Sequence, residues 1–181
     1  IARLLVLSGV NERDSEGLAA AIVDWRDQND IPEEAGNTGM GGGGGEENEV
    51  YNQGARRGRG RGRNAREVPE IIMKNAPLDS IDELLLIPGL TPDIVNGTVD
   101  PDDRRGRGRA SRRRLGKGEY LGLRNLVTVY SNRFNLNTVK PEVLEAILYP
   151  ALGEEAEKLA ENWAEYRDGR DGETYTEDDQ V

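Results

Sequence analysis

Five consecutive glycines, Gly41 to Gly45, and two arginine-glycine blocks, Arg56 to Arg66 and Arg104 to Arg114, cut this 181-residue chain into pieces. Glycine loses more conformational freedom on ordering than any other residue, so such a run holds neither helix nor strand unaided. The blocks carry six and seven arginines with no acid among them, and they read as solvated insertions. A core must therefore be built from the segments in between. The length allows it, since a domain of this size buries roughly 70% of the surface its unfolded chain exposes. Aromatic residues make up only 5% of the chain, so that core rests on Leu, Ile, Val and Ala.

Charge is unevenly spread. The net charge is −10, yet outside the two blocks 11 basic residues face 34 acidic ones. Two cationic stretches are thus set in a strongly acidic body. There is no cysteine and no histidine. That removes disulfides, thiolate chemistry, the commonest general base and the commonest transition-metal ligand. No apolar run approaches the roughly 20 residues of a membrane span.

Ile1 to Val10 is an apolar run interrupted by Gly9. Glu16 to Trp25 places Leu18, Ala21, Ile22 and Trp25 at the spacing of a helix with one buried face, with Asp14 or Ser15 as cap. Asp27 to Glu49 is acidic and glycine-rich, and order resumes near Val68. Ser80 with Glu83 makes a capping box for a short helix that stops at Pro88-Gly89. Thr91 and Pro92 open another. Leu126 to Tyr130 is β-branched and reads as a strand, Ser131-Asn132 as a turn, and Phe134 to Asn137 as its return. Asn137 or Thr138 caps a helix through Glu142 to Leu148. Gly153 to Tyr166 reads as a long helix burying Ala156, Leu159, Ala160 and Trp163. Trp25 and Trp163 sit on apolar faces and read as core. Tyr166 to Asp171 echoes the acidic exit at Trp25 to Asp30, which points to two related helical units.

Asp24, Asp27, Asn29, Asp30, Glu46, Glu47 and Glu49 can supply hard oxygens, and calcium takes 6–8 of them. A glycine-rich loop can fold back so that Glu47 meets Asp27 and Asp30. The alternative is a solvated acidic loop. The later cluster Asp168, Asp171, Glu173, Glu177, Asp178 and Asp179 reads as a frayed, charged terminus. The turn Leu86 to Thr91, centred on Gly89, is half of a helix-hairpin-helix, a module that offers backbone N–H groups to a phosphate. With the arginine blocks it makes DNA or RNA binding the second reading. The acidic body and the lack of aromatics within the blocks weigh against it, so nucleic acid is not the expected partner.

The order of the motifs carries a resemblance. Asp24-Trp25-Arg26-Asp27-Gln28-Asn29 resembles the Asp-Trp-x-Asp-x-Asp pattern of the type II secretion protein K family, the minor pseudopilins K. Gly45-Glu46-Glu47-Asn48-Glu49-Val50-Tyr51 is similar to that family's Gly-Ala-Glu-Asp-x-x-Tyr, departing at Glu46 and Asn48. Lys74 to Leu78, Ser80 to Leu84, Leu126 to Tyr130 and Asn135 to Val139 follow in the family's order. The resemblance implies a structural protein of the pseudopilus tip and not an enzyme. It implies other minor pseudopilins, and secreted cargo, as partners. It also implies a periplasmic location, with an inner-membrane anchor lying before Ile1. It further implies calcium, held by Asp27, Asp30 and Glu47. The expected fold is mainly α, with two small helical subdomains of SAM-like or helix-hairpin-helix-like kind. Residues 1–122 would form the first, with the loop and both insertions. Residues 123–181 would add a short β-hairpin and a second, incomplete helical unit.

Overall fold

The structure is a computed structural model and describes residues 1–33, 48–52, 70–98, 120–131, 133–169, 176 and 179. Among them the fold is mainly α. Helix α1 (Ala2–Leu7) runs into α2 (Glu12–Arg26), and a helical turn α3 covers residues 48–52. A 3-10 helix (Ile81–Leu86) and α4 (Pro92–Asn96) follow, then a second 3-10 turn (Leu123–Asn125), α5 (Pro141–Leu152) and α6 (Glu155–Arg167).

The apolar opening run is helical because its glycine makes a proper stop. The Val10 N–H reaches Leu5 O at 3.0 Å and the Gly9 N–H reaches Val6 O at 3.0 Å, with Gly9 at φ +91. This is a Schellman ending, in which the left-handed glycine satisfies the last carbonyls. It turns the chain so that α2 packs back on α1. The N-cap position of α2 is Asn11, one turn earlier than Asp14 or Ser15. Ser15 lies inside the helix and donates its hydroxyl to Glu12 O at 2.8 Å. Glu12 and Asp14 sit in the first turn and Arg26 in the last, which suits the helix dipole.

Two apolar clusters form. The larger joins Leu5, Leu18, Ala21, Ile22, Trp25, Tyr51, Met73, Leu84, Ile87, Leu90, Val95 and Leu123. The smaller joins Val139, Leu144 and Ala160, with Val143, Leu148 and Trp163 packed against them. Arg3 links α1 to α5. Its guanidinium pairs with buried Glu145 at 2.5 Å and lies 4.5 Å from the centre of the Tyr149 ring.

The expected hairpin is a correction. No strand forms among the described residues, and residues 126–130 run as turn and irregular chain. A strand needs a ladder partner for its N–H groups. Here local groups take them first. Val127 N–H bonds Leu123 O, Tyr130 N–H bonds Thr128 Oγ1 and Arg133 N–H bonds Ser131 Oγ. Short hydroxyl side chains compete with pairing in just this way. Asn135 does the same ahead of α5, accepting the Asn137 N–H at 3.0 Å. Helix α5 accordingly starts with Lys140 at its N-cap position, not Asn137 or Thr138. On α6, Ala156 and Ala160 are buried as expected, but Leu159 is 48% exposed.

The capping box at Ser80 is present, although the helix it opens is of the tighter 3-10 type. Glu83 accepts from the N–H groups of Asp79 and Ser80 at 2.8 and 3.2 Å, and Lys74 bridges Asp79 and Glu83 at 2.7 and 2.8 Å. Lys74 holds the Glu83 carboxyl below its ordinary range. At Thr91 the side chain accepts from Ile94 N–H, and Pro92 occupies the first turn.

Candidate functional site

The acidic C-terminal end of α2 is organised around one carboxylate. Asp24 falls three residues after Ala21, on the apolar side of α2, and is fully buried. Its Oδ1 accepts the Glu33 N–H at 2.9 Å. Its Oδ2 accepts the Tyr51 hydroxyl at 2.6 Å. Glu33 lies within the acidic stretch, ahead of its glycine run, and Tyr51 just after the stretch. Asp24 therefore joins the chain on either side of the glycine run to the helix.

Beyond Asp24 the chain turns on itself. Asp27 accepts both the Asn29 N–H at 3.3 Å and Asn29 Nδ2 at 2.8 Å, and Asn29 Oδ1 accepts the Ile31 N–H at 2.8 Å. Asn75 reaches across to donate to Asn29 O at 3.0 Å. Turn α3 is stitched on its other side. Asn52 exchanges two bonds of 2.8 Å with the Ile71 backbone, and Asn48 accepts the Met73 N–H at 2.6 Å. Two amide side chains thus supply the pairing that a strand would otherwise give residues 71–73.

A family model described as type II secretion system protein K matches residues 1–98, more than half of the chain. The chain belongs to that family. Comparison with curated proteins and with solved structures gives no match. The matched span contains α1 to α4 and all but Leu123 of the larger buried cluster. Membership makes this protein a component of an envelope secretion machine. Among the described residues no helix is long and apolar enough to cross a membrane.

Of the three expected calcium ligands, Asp27 is the C-cap residue of α2 and partly buried, and Asp30 follows in the exposed chain beyond it. Glu47 lies outside the described residues, as do Glu46, most of the later acidic cluster and both arginine blocks. Among the described residues no group of three or more acidic side chains is placed to hold a metal ion. Asp30 offers carboxylate oxygen beside the C-terminal end of a helix, which suits a hard cation, whereas both Asp27 oxygens accept from Asn29 and would have to share those bonds with an ion.

Asp24 is not a free oxygen ligand, because both of its oxygens are engaged within the protein. Its place on the apolar face of α2 was the signal for burial. Asp168 is also buried, paired with Arg167 at 2.6 Å, so it is no part of a frayed terminus. Gly89 is at φ +90 between the two short helices, and the turn buries Ile87 and Leu90. Asp82, Glu83 and Asp93 stand in the first turns of those helices, with Lys74 paired to Asp79 and Glu83 and Arg124 paired to Asp82, so the nearby cations are already engaged by carboxylates and not free for a phosphate backbone.

Burial pushes the Asp24 carboxyl above the ordinary aspartate range, against the pull of its bonds from Tyr51 and Glu33. A folded-state value above the unfolded one means that its contribution is complete below about pH 3.9. That contribution is lost as pH rises through the folded value. Asp24→Asn keeps the shape, can accept from Glu33 and can donate to Tyr51. The stability of wild type minus that of Asp24→Asn should therefore fall between pH 4 and pH 7. Tyr51→Phe leaves Oδ2 without its donor and should cost about 1.5–3 kcal/mol at pH 7. Paired thermal melts at the two pH values measure both. A wild-type advantage that grows with pH would contradict the account.

Proposed function

We propose that this chain is the helical, periplasmic region of a minor pseudopilin at the tip of the type II secretion pseudopilus. It binds other minor pseudopilins and contributes a surface for secreted cargo. The family match over residues 1–98 carries this reading. Its work is assembly and not catalysis: the chain has no histidine or cysteine, and its buried charges are spent on holding loops and helices together. The proposed subdomains are residues 1–122 and 123–181: the larger cluster falls in the first apart from Leu123, which crosses from the second, and the α5–α6 pair falls in the second. The test is co-purification of the full-length protein with the other minor pseudopilins of its own secretion system. A stoichiometric complex is expected, together with a secretion defect when the gene is deleted. Minor pseudopilins that assemble without it and secretion that continues normally would reject the reading.

The second proposal concerns calcium. Asp27, Asp30 and Glu47 would hold it, and it would relieve repulsion among the carboxylates at the end of α2. A ligand bound only by the folded state adds about 2.7 kcal/mol at one hundred times its dissociation constant. A chelator should therefore lower Tm by several degrees, and calcium should restore it. The Asp27→Asn/Asp30→Asn pair should abolish the response. Melting that is indifferent to both treatments would remove calcium from the account.

A further inference from the structure

Residues 71–73 are bonded on one side only. Asn52 Oδ1 accepts the Ile71 N–H and Asn52 Nδ2 donates to Ile71 O, both at 2.8 Å, and Asn48 Oδ1 accepts the Met73 N–H at 2.6 Å. Residues 70–75 run without helix, turn or bend. In such a run the backbone groups of successive residues point to opposite sides, so those of Ile72 and Lys74 point away from the two asparagines. The Ile72 N–H and C=O and the Lys74 N–H have no hydrogen-bond partner among the described residues.

The side chains alternate with the same period. Met73 is buried and Ile71 packs against the larger cluster, whereas Ile72 is 70% exposed. The segment is therefore a strand-like edge closed on one side by amide side chains. Its other side offers a donor and an acceptor at Ile72 and a further donor at Lys74. Open edges are normally blunted by a lysine, a proline or a bulge. Here the centre is a β-branched apolar residue, the type that favours pairing.

An edge of this kind fits another backbone, which meets donor and acceptor in register and covers the apolar side chain between them. The surrounding charge narrows the choice. Glu70 is exposed at one end. At the other, Lys74 is already held by Asp79 and Glu83, and the Asp79 side chain is 88% exposed. Asn75 donates to Asn29 O, next to exposed Asp30. A second copy of the chain would set these carboxylates against their own kind, and a net charge of −10 adds to that repulsion. We infer that residues 70–74 are an acceptor edge for strand addition, and that the occupant is an extended, basic segment of another minor pseudopilin with an apolar side chain laid on Ile72. The choice of partner rests on the pseudopilin reading, while the edge rests on the bonding pattern.

Hydrogen exchange of the full-length protein, free and in complex with the other minor pseudopilins of its secretion system, tests it. In the free protein the Ile72 and Lys74 amides should exchange rapidly and the Ile71 and Met73 amides slowly. In the complex the Ile72 and Lys74 amides should slow by about tenfold or more, with Ile71 and Met73 little changed. Ile72→Pro deletes a donor that bonds nothing in the free protein, and proline is tolerated on an open edge. It should leave the melting of the free protein little changed and weaken the complex by about tenfold. Ile72→Val keeps the N–H and the branch, and should bind like the parent. A complex whose Ile72 and Lys74 amides still exchange rapidly, or one that Ile72→Pro forms as well as the parent, would overturn the edge and leave the pseudopilin reading standing. No complex at all would remove that reading, and the assigned occupant with it. If Ile72→Pro does not fold, the exchange comparison decides alone.

Discussion

Gly122→Ala should unfold the protein or cost it at least ~3 kcal/mol, beyond the usual range for overpacking. Gly122 has an ordinary φ of −74, so its requirement is one of space. A β-carbon there would sit 2.1 Å from Asn96 C, 2.2 Å from Gly97 N and 2.5 Å from Val95 O. All three are backbone atoms at the end of α4 and cannot swing aside. The contact is the seat of everything that follows the second arginine block. Gly97 and Leu121 form an antiparallel bridge, Thr98 N–H bonds Tyr120 O at 3.0 Å and Tyr120 N–H bonds Thr98 Oγ1 at 2.8 Å. The Tyr120 ring then lies against Gly9, and Leu123 enters the larger cluster at 2% exposure. Gly153→Ala is the control. Gly153 has φ +58 but open space around its missing side chain. Its ψ of −134 lies outside the left-handed helical well, so its substitution should cost about 1–3 kcal/mol in backbone strain alone. Urea melts of both variants measure the difference. If the two cost the same, close backbone approach at Gly122 is not what the fold depends on.

What the sequence could show follows the range of the interactions. Period and strong capping motifs are local, so the buried face of α2, the Ser80 box and the Thr91-Pro92 start were legible, while the starts of α2 and α5 fall at Asn11 and Lys140 and not at the expected caps. So was the buried face of α6 at Ala156 and Ala160, because small residues at helical spacing leave little else to infer. The strand at 126–130 was misread because β propensity says nothing of a ladder partner. The side chains of Thr128, Ser131 and Asn135 meanwhile had a local use for the same backbone. Leu159 was misread because its place depends on how α6 is rotated against α5, which is a tertiary fact. At the candidate site, the acidic character of the α2 end was plain, and Asp24 was counted among its oxygens. Its bond to Tyr51 spans 27 residues of glycine and charge, and no local pattern reports a contact at that separation. The amide stitches from Asn48 and Asn52 are hidden for the same reason. In a linear reading an asparagine beside a loop is a turn residue, not the partner of another segment's backbone.

Arg167→Met should be the most damaging single change of a charged residue in the described part of the chain, at about 3–5 kcal/mol. Arg167 is 4% exposed at the last turn of α6 and Asp168 beside it is 5% exposed. The guanidinium donates to Asp168 Oδ1 at 2.6 Å, to Val139 O at 2.6 Å and to Leu136 O at 3.4 Å. Trp163 Nε1 donates to the same Leu136 O at 3.0 Å, so the end of α6 is fastened to the segment that leads into α5. Removing the cation strands Asp168 as an unpaired buried carboxylate. It does so at a helix C-terminus, where the dipole is already hostile to negative charge. It also leaves the Val139 carbonyl without its donor. Methionine preserves much of the bulk, so the loss reports charge and bonding and not an empty cavity. The double variant Arg167→Met/Asp168→Leu removes the stranded charge and should be more stable than Arg167→Met alone, because breaking a buried pair costs more than replacing it. Chemical denaturation of the two variants beside the parent gives the comparison. A double variant worse than the single one would mean that Asp168 is held by something other than Arg167, and the knot at the end of α6 would have to be redrawn.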